Sequence, residues 1–175
     1  MRAGRAATVA AAAVAALLVG CATRPADEPS SPWISGRLAV RVDAAGNASA
    51  RSATAAFEMR GSGERGELRL LSPLGTLIAE TRWTAADATI QTPEGRRHFN
   101  DLDSLSRELL GEVLPLRALP DWLQGRPWSG AASTVMPQGF EQLGWQIQLA
   151  QQAEGSIEAR RASPPAVMLR VRLDR

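Results

Sequence analysis

The 175-residue chain has no lysine, one histidine and one cysteine. Without lysine the phosphate-cradling G-x-x-x-x-G-K-[ST] loop cannot be completed, although Gly61-Ser62-Gly63 and Gly66 are loop-like. His98 alone, with no second cysteine, excludes a Cys–His nucleophile and most zinc sites, so no metal is expected. Neither a G-x-S-x-G elbow nor H-E-x-x-H occurs. Glu108 and Glu112 share a helical face at i, i+4, the spacing of a solvated face as well as of an acid–base pair. His98 beside Phe99 reads as a strand or turn residue. Charge of one sign is not in excess either: the formal +2 becomes zero once residues 1–20 are set aside, leaving 18 arginines against 18 acids. The arginines are dispersed, which excludes a basic stripe for nucleic acid. The chain reads as a binder and not as an enzyme, with no catalytic residue and no cofactor.

What is present begins at the N-terminus. Arg2 and Arg5 precede an apolar run from Ala6 to Val19, broken only by Thr8 and ending in Leu18-Val19-Gly20-Cys21. A positive start, a short apolar stretch and a small residue before the cut define a secretory signal; a spanning helix needs about 20 apolar residues. Leu-x-Gly-Cys resembles the lipobox of bacterial lipoproteins, in which the thiol is acylated before cleavage. Cys21 is therefore the expected lipidation site, and two or more acyl chains give stable anchoring. As the only cysteine it cannot form a disulfide within the chain, although export implies an oxidising compartment.

Residues 22–32, with Pro25, Pro29 and Pro32, cannot bury a core and read as a tether of at most ~35–40 Å. The expected organisation is thus a signal at 1–20, a lipidated tether at 21–32 and one domain at 33–175. From Trp33 the pattern has period two. Leu38, Val40 and Val42 alternate with Arg37, Ala39 and Arg41, and strand patterns recur at 51–60, 66–72, 76–83, 88–92 and 95–99. Gly46-Asn47, Gly61-Ser62-Gly63, Pro73-Leu74-Gly75 and Pro93-Glu94-Gly95 punctuate them. At 101–128 the period becomes helical. Asp101 or Asp103 can cap a helix carrying Leu102, Leu105 and Leu109 up to Gly111, and a second short helix carries Leu116, Leu119, Trp122 and Leu123 to Gly125. Strand patterns return at 143–150 and 166–173. This predicts a mainly β fold, a curved antiparallel sheet with a small α lid. Small residues (Ala39, Ala53, Ala55, Ala56, Ala79), together with only eight aromatics in the chain, suit an apolar cavity under the lid. A packed core made by the same leucines fits the pattern equally well.

The stretch Leu68-Arg-Leu-Leu-Ser-Pro-Leu-Gly-Thr-Leu-Ile-Ala-Glu-Thr-Arg-Trp83 resembles the LolB family of outer-membrane lipoprotein receptors. So do Gly36-Arg37-Leu38-Ala39-Val40, Leu105 to Leu110, Pro115-Leu116, Leu119 and Trp122-Leu123-Gln124-Gly125-Arg126-Pro127. Together they cover most of 33–128 in order and spacing. The resemblance implies an open, half-closed antiparallel β-barrel with a helical lid over an apolar cavity. It implies a protein anchored in the outer membrane and facing the periplasm, which takes acylated cargo lipoproteins from a soluble LolA-like carrier and passes them to the membrane's inner leaflet. Neither ATP nor a cofactor is used. Ala22, in place of aspartate after the acylated cysteine, fits that destination. The family's membrane-insertion residue falls on Leu74, in a turn with Pro73 and Gly75; a Leu74 folded back onto the sheet is the alternative.

Cavity candidates are Leu38, Val40, Phe57, Leu70 and Ile78 from the sheet and Leu105, Leu109, Leu119 and Trp122 from the lid. Opposite strand phases cannot both face inward, so this set contains residues that must face elsewhere. The polar stretch 151–164 and the end at Arg175 depart from the family, and a shorter barrel edge is expected there. A monomer is expected. The other readings are a lipid-anchored assembly lipoprotein that binds a protein partner, and a carrier for another lipid.

Overall fold

Apolar and charged residues alternating along most of the chain build one antiparallel sheet of eleven strands. The computed structural model describes residues 31–110 and 112–174, the side chains of 109 and 110 excepted. The signal, Cys21 and the tether through residue 30 lie outside them. The strands are β1 (Ile34–Val42), β2 (Arg51–Gly61), β3 (Gly66–Leu71), β4 (Leu77–Trp83), β5 (Ala88–Thr92) and β6 (Gly95–Phe99). After the lid come β7 (Ser133–Met136), β8 (Gly139–Gln142), β9 (Trp145–Gln148), β10 (Ser156–Arg161) and β11 (Val167–Leu173). Their order is β6-β5-β4-β3-β2-β1-β11-β10-β9-β8-β7. No pairing joins β6 to β7, so the sheet is an open half-barrel among the described residues. With the helices below, this is the architecture expected from the sequence.

The inner face is apolar by the period-two rule. Val40 and Val42, Phe57 and Met59, Leu68, Ala79, Trp83, Ile90, Ile147, Ile157 and Leu169 are buried, while Arg37, Arg41, Arg160, Arg170 and Arg172 are exposed. Close packing explains one glycine directly: a Cβ on Gly66 would sit 2.2 Å from the Trp83 ring, whose indole N–H donates to the Ser62 carbonyl at 3.0 Å.

Between β6 and β7 the chain crosses the inner face as a lid. Asp101 opens α1 (Leu102–Leu110) by accepting the Ser104 backbone N–H at 2.6 Å, the geometry of an N-cap. This bond, followed by those to the Ser104 hydroxyl and the Asp103 backbone, holds the Asp101 carboxyl below its ordinary range although burial opposes the shift. Leu102 and Leu105 are buried on one side of α1, and Asp103, Arg107 and Glu108 are exposed on the other. The second helical segment is shorter than expected, α2 (Leu119–Trp122), with turns on either side and Pro120 in its first turn.

Two expectations are corrected here. The last strand is no barrel edge: β11 pairs with β1 through Leu38↔Val171 and Val40↔Leu169, in mid-sheet, and the edges are β6 and β7. The strand expected at 143–150 starts only at Trp145, because Leu143 (φ 55°) and Gly144 (φ 75°) form the turn from β8.

Candidate functional site

Under the lid lies a cavity of about 90 Å³. Its sheet wall is Leu38 and Val40 of β1, Ala53, Thr54 and Ala55 of β2, Leu68 and Leu70 of β3, Thr81 of β4 and Leu169 of β11. The lid supplies Leu105, Ser106, Leu114, Pro115, Leu116 and Leu119. Among the described residues no charged side chain lines it. The Ser106 hydroxyl is already committed, donating to the Asp103 carbonyl at 3.1 Å and accepting the Leu114 N–H at 3.2 Å. Such a wall offers contact area and almost no polar anchor, which suits hydrocarbon.

The cavity opens on one side. Ala53 and Thr54 are exposed, and the register Ala56↔Leu71 sets the β3–β4 turn beside that end of β2. The turn is tight: Gly75 N–H donates to the Ser72 carbonyl at 2.9 Å, and the Ser72 hydroxyl accepts the N–H groups of Leu74 and Thr76 at 3.3 and 3.1 Å. Pro73 presets the turn and Gly75 takes φ 81°, a conformation that favours glycine. Leu74 is 94% exposed, so it is not folded onto the sheet.

The lid is fastened to the sheet by polar contacts at several points. Arg97 of β6 meets Glu108 of α1 at 2.8 Å, and Arg161 of β10 meets Glu112 at 2.8 Å. Arg117 donates to the Gly63 carbonyl at 3.1 Å. Trp122 donates its indole N–H to Gln142 Oε1 at 2.9 Å. Gln142, buried on β8, also accepts the Trp128 N–H and donates to the carbonyls of Trp128 and Ala131, so its amide is fully partnered.

The outer face of β2–β4 carries a second polar cluster. Glu67, 1% exposed, pairs with Arg60 at 2.7 Å and Arg69 at 2.9 Å, and Arg69 and Arg82 also reach Glu80. Burial works against the Arg69 charge, but Glu67 and Glu80 outweigh it and raise its pKa. The guanidinium carbons of Arg60 and Arg69 each stand 4.5 Å from the Trp33 ring centre. Ser31 accepts the Gly61 N–H, so the start of the domain is held at the end of the sheet away from Leu74.

Of the cavity candidates, Leu38, Val40, Leu70, Leu105 and Leu119 line the space together. The Leu109 side chain lies outside the described residues. Three others are placed elsewhere. Phe57 is buried in the core but does not line the cavity. Trp122 packs against Phe140 and Trp145, at centroid distances of 6.4 and 6.3 Å, in the other half of the sheet. Ile78 is 45% exposed, because it is out of phase with the buried Ala79 and Thr81. Thr81, Ser106 and Leu169 were not among the candidates. Leu169 stands in a clear alternation, whereas a polar wall residue such as Thr81 or Ser106 gives no hydropathy signal.

Residues 33–173 match the family described as outer membrane lipoprotein LolB. The chain is similar to the outer-membrane lipoprotein LolB of Chromobacterium violaceum, 34% identical over 153 residues and 81% of each chain. It is similar to that of Bordetella petrii, 32% identical over 170 residues, covering 88% of this chain and 84% of the relative. With that of Ralstonia nicotianae it shares 33% identity over 148 residues, 75% and 70% of the two chains.

Proposed function

Because the chain belongs to the LolB family of outer-membrane lipoproteins, we propose that it is a receptor that takes acylated lipoproteins from a LolA-like periplasmic carrier and inserts them into the inner leaflet of the outer membrane. In this reading the domain is held on that membrane by acylated Cys21, faces the periplasm and works as a monomer. The observation that carries the proposal is the uncharged cavity opening beside a turn whose tip is an exposed leucine.

The physics of transfer is a gradient of apolar burial. Each acyl CH₂ removed from water contributes about 0.8 kcal/mol. A carrier that holds the chains less tightly than this cavity, and a bilayer that holds them more tightly, make the route downhill. A step of 1.4 kcal/mol already shifts the partition tenfold, and no covalent bond is made or broken. At about 90 Å³ the cavity is smaller than the ~300–1,000 Å³ of ordinary ligand pockets. The lid must therefore withdraw to admit cargo. Leu38, Val40 and Leu70 from the sheet, with Leu105, Leu119 and Leu169, are the proposed acyl contacts, and Leu74 with Pro73 and Gly75 forms the proposed insertion turn.

The test mixes the chain from residue 22 onward with a carrier loaded with a lipoprotein, separates the two and asks which holds the cargo. Cargo on this protein is the expected result. Cargo left on a carrier that is competent with another receptor would move the reading to an assembly lipoprotein that binds a protein partner. Displacement of cargo by a glycolipid or phospholipid would move it to a carrier for another lipid.

A further inference from the structure

Three large exposed apolar side chains fall within five positions of one hairpin: Leu74, Leu77 and Ile78, at 94%, 43% and 45% exposure. Leu70 pairs with Ala79, but Leu71 pairs with Leu77, so β4 carries one extra residue at Ile78. That is a β-bulge, which sets two residues of one strand opposite one of its neighbour. Without it the period-two rule would place Leu77 on the inner face with Ala79, Thr81 and Trp83, all of them buried. The bulge instead brings Leu77 into register with Leu71, whose phase is that of Arg69 and Glu67 on the outer face. A leucine that could have joined the core is turned out beside an exposed isoleucine.

Charge is absent from the same stretch. Leu70 to Ala79 is uncharged throughout, bounded by Arg69 and Glu80. Immersing it in hydrocarbon removes no ion from water, and the turn's polar backbone groups at Ser72, Gly75 and Thr76 are bonded to one another.

We propose that Leu77 and Ile78 contact bilayer lipid together with Leu74, so that the docking element is the bulged end of the hairpin and not the turn alone. This rests on the receptor reading for the anchor at Cys21. The chain outside the structure has the length to allow it. From Gly66 to Leu71 the hairpin runs about 17 Å away from the end of the sheet where Ser31 is held, at ~3.4 Å per residue. The ten residues back from Ser31 to Cys21 reach ~33–36 Å when extended. The hairpin end can therefore rest on the membrane that holds Cys21, with the Ala53–Thr54 opening facing the same way.

The test uses the lipidated protein in phosphatidylcholine vesicles, with a loaded carrier added outside. The double variant Leu77→Ser, Ile78→Ser should accept cargo at the wild-type level and deliver it to the vesicles several-fold more slowly. Wild-type delivery would confine docking to Leu74 and overturn the proposal. Loss of acceptance with unchanged circular dichroism would overturn it in favour of a carrier contact. If Leu74→Glu also delivers normally, the insertion turn is excluded together with the proposal, whereas it is failure of the wild-type protein to accept cargo at all that sinks the receptor reading. A direct measurement needs no transfer. With Cys21 acylated, Ile78→Cys supplies the sole free thiol for a fluorophore, and quenching by bromine on the lipid acyl chains is expected there. Ala86→Cys, exposed on the β4–β5 turn at the end of the sheet where Ser31 is held, should show none. Equal, negligible quenching at both positions would also overturn the proposal.

Discussion

Arg161, near the end of β10, reaches the Glu112 carboxylate at 2.8 Å and ties the segment after α1 to the far half of the sheet. Both side chains are 17% exposed, and Arg161 also donates to the Pro165 carbonyl at 3.1 Å. The pair spans the junction that must part if the lid withdraws. Arg161→Ala should lower stability by about 1.5–3 kcal/mol, the range for hydrogen bonds to charged groups. It should also speed entry of a fluorescent fatty acid. Denaturant unfolding and stopped-flow uptake check the two effects separately. Slower uptake in a less stable variant would show that the pair does not restrain the lid.

Leu74→Glu should leave cargo acceptance intact and impair delivery to vesicles. The side chain is 94% exposed, so its replacement should change folding stability by no more than about 0.5 kcal/mol. Normal delivery by the variant would remove Leu74 from the mechanism.

Ala55→Phe distinguishes a usable cavity from a packed interior. Ala55 lines the space between β2 and the lid. Filling it should block fatty-acid uptake while stabilising the domain by about 0.5–2 kcal/mol, as cavity filling does. Overpacking of a full core would instead cost about 1–3 kcal/mol. Thermal unfolding and a binding titration read both outcomes.

The lid is expected to loosen in acid. The Asp101 carboxyl is held below its ordinary range chiefly by the Ser104 N–H at the start of α1. A depressed carboxyl contributes stability above its unfolded pKa, about 3.9, and loses it as pH falls through the lower folded value. Asp101→Ala should therefore be less stable than the wild type at neutral pH, the two converging as pH falls below ~3.9. A difference unchanged between pH 7 and pH 3 would rule the cap out as its source.

The sheet was legible wherever hydropathy alternates cleanly. Leu38-Val40-Val42 and Val167-Leu169-Val171 announce β1 and β11, but not that they are neighbours, because pairing of distant strands leaves no local pattern. In β10 the inward residues are only Ile157 and Ala159, set among Glu158, Arg160 and Arg161, so the strand is hidden in a polar stretch. In β8 an inward position is Gln142, buried because Trp122, Trp128 and Ala131 satisfy its amide. Hydropathy scores such a residue as surface. Ile78 stands opposite in phase to Ala79 and Thr81, so alternation alone already sets it outside the cavity; what a period-two count cannot show is the bulge that turns Leu77 out beside it. Trp122 followed the lid leucines in spacing, yet its ring turns to Phe140 and Trp145.

The pairing of β1 with β11 also governs when the domain can exist. The first strand's partners are β2, its near neighbour in sequence, and residues 167–173 at the other end of the chain. Contacts of such long sequence separation form slowly. A chain that emerges from its N-terminus can build the β1–β6 half, but β1 keeps an open edge until β11 arrives. Premature termination anywhere before Val167 would leave that edge unpaired, a template for aggregation. Closing that edge thus falls to Val167–Leu173, and a product truncated before them would present itself for proteolysis instead of serving as a working half.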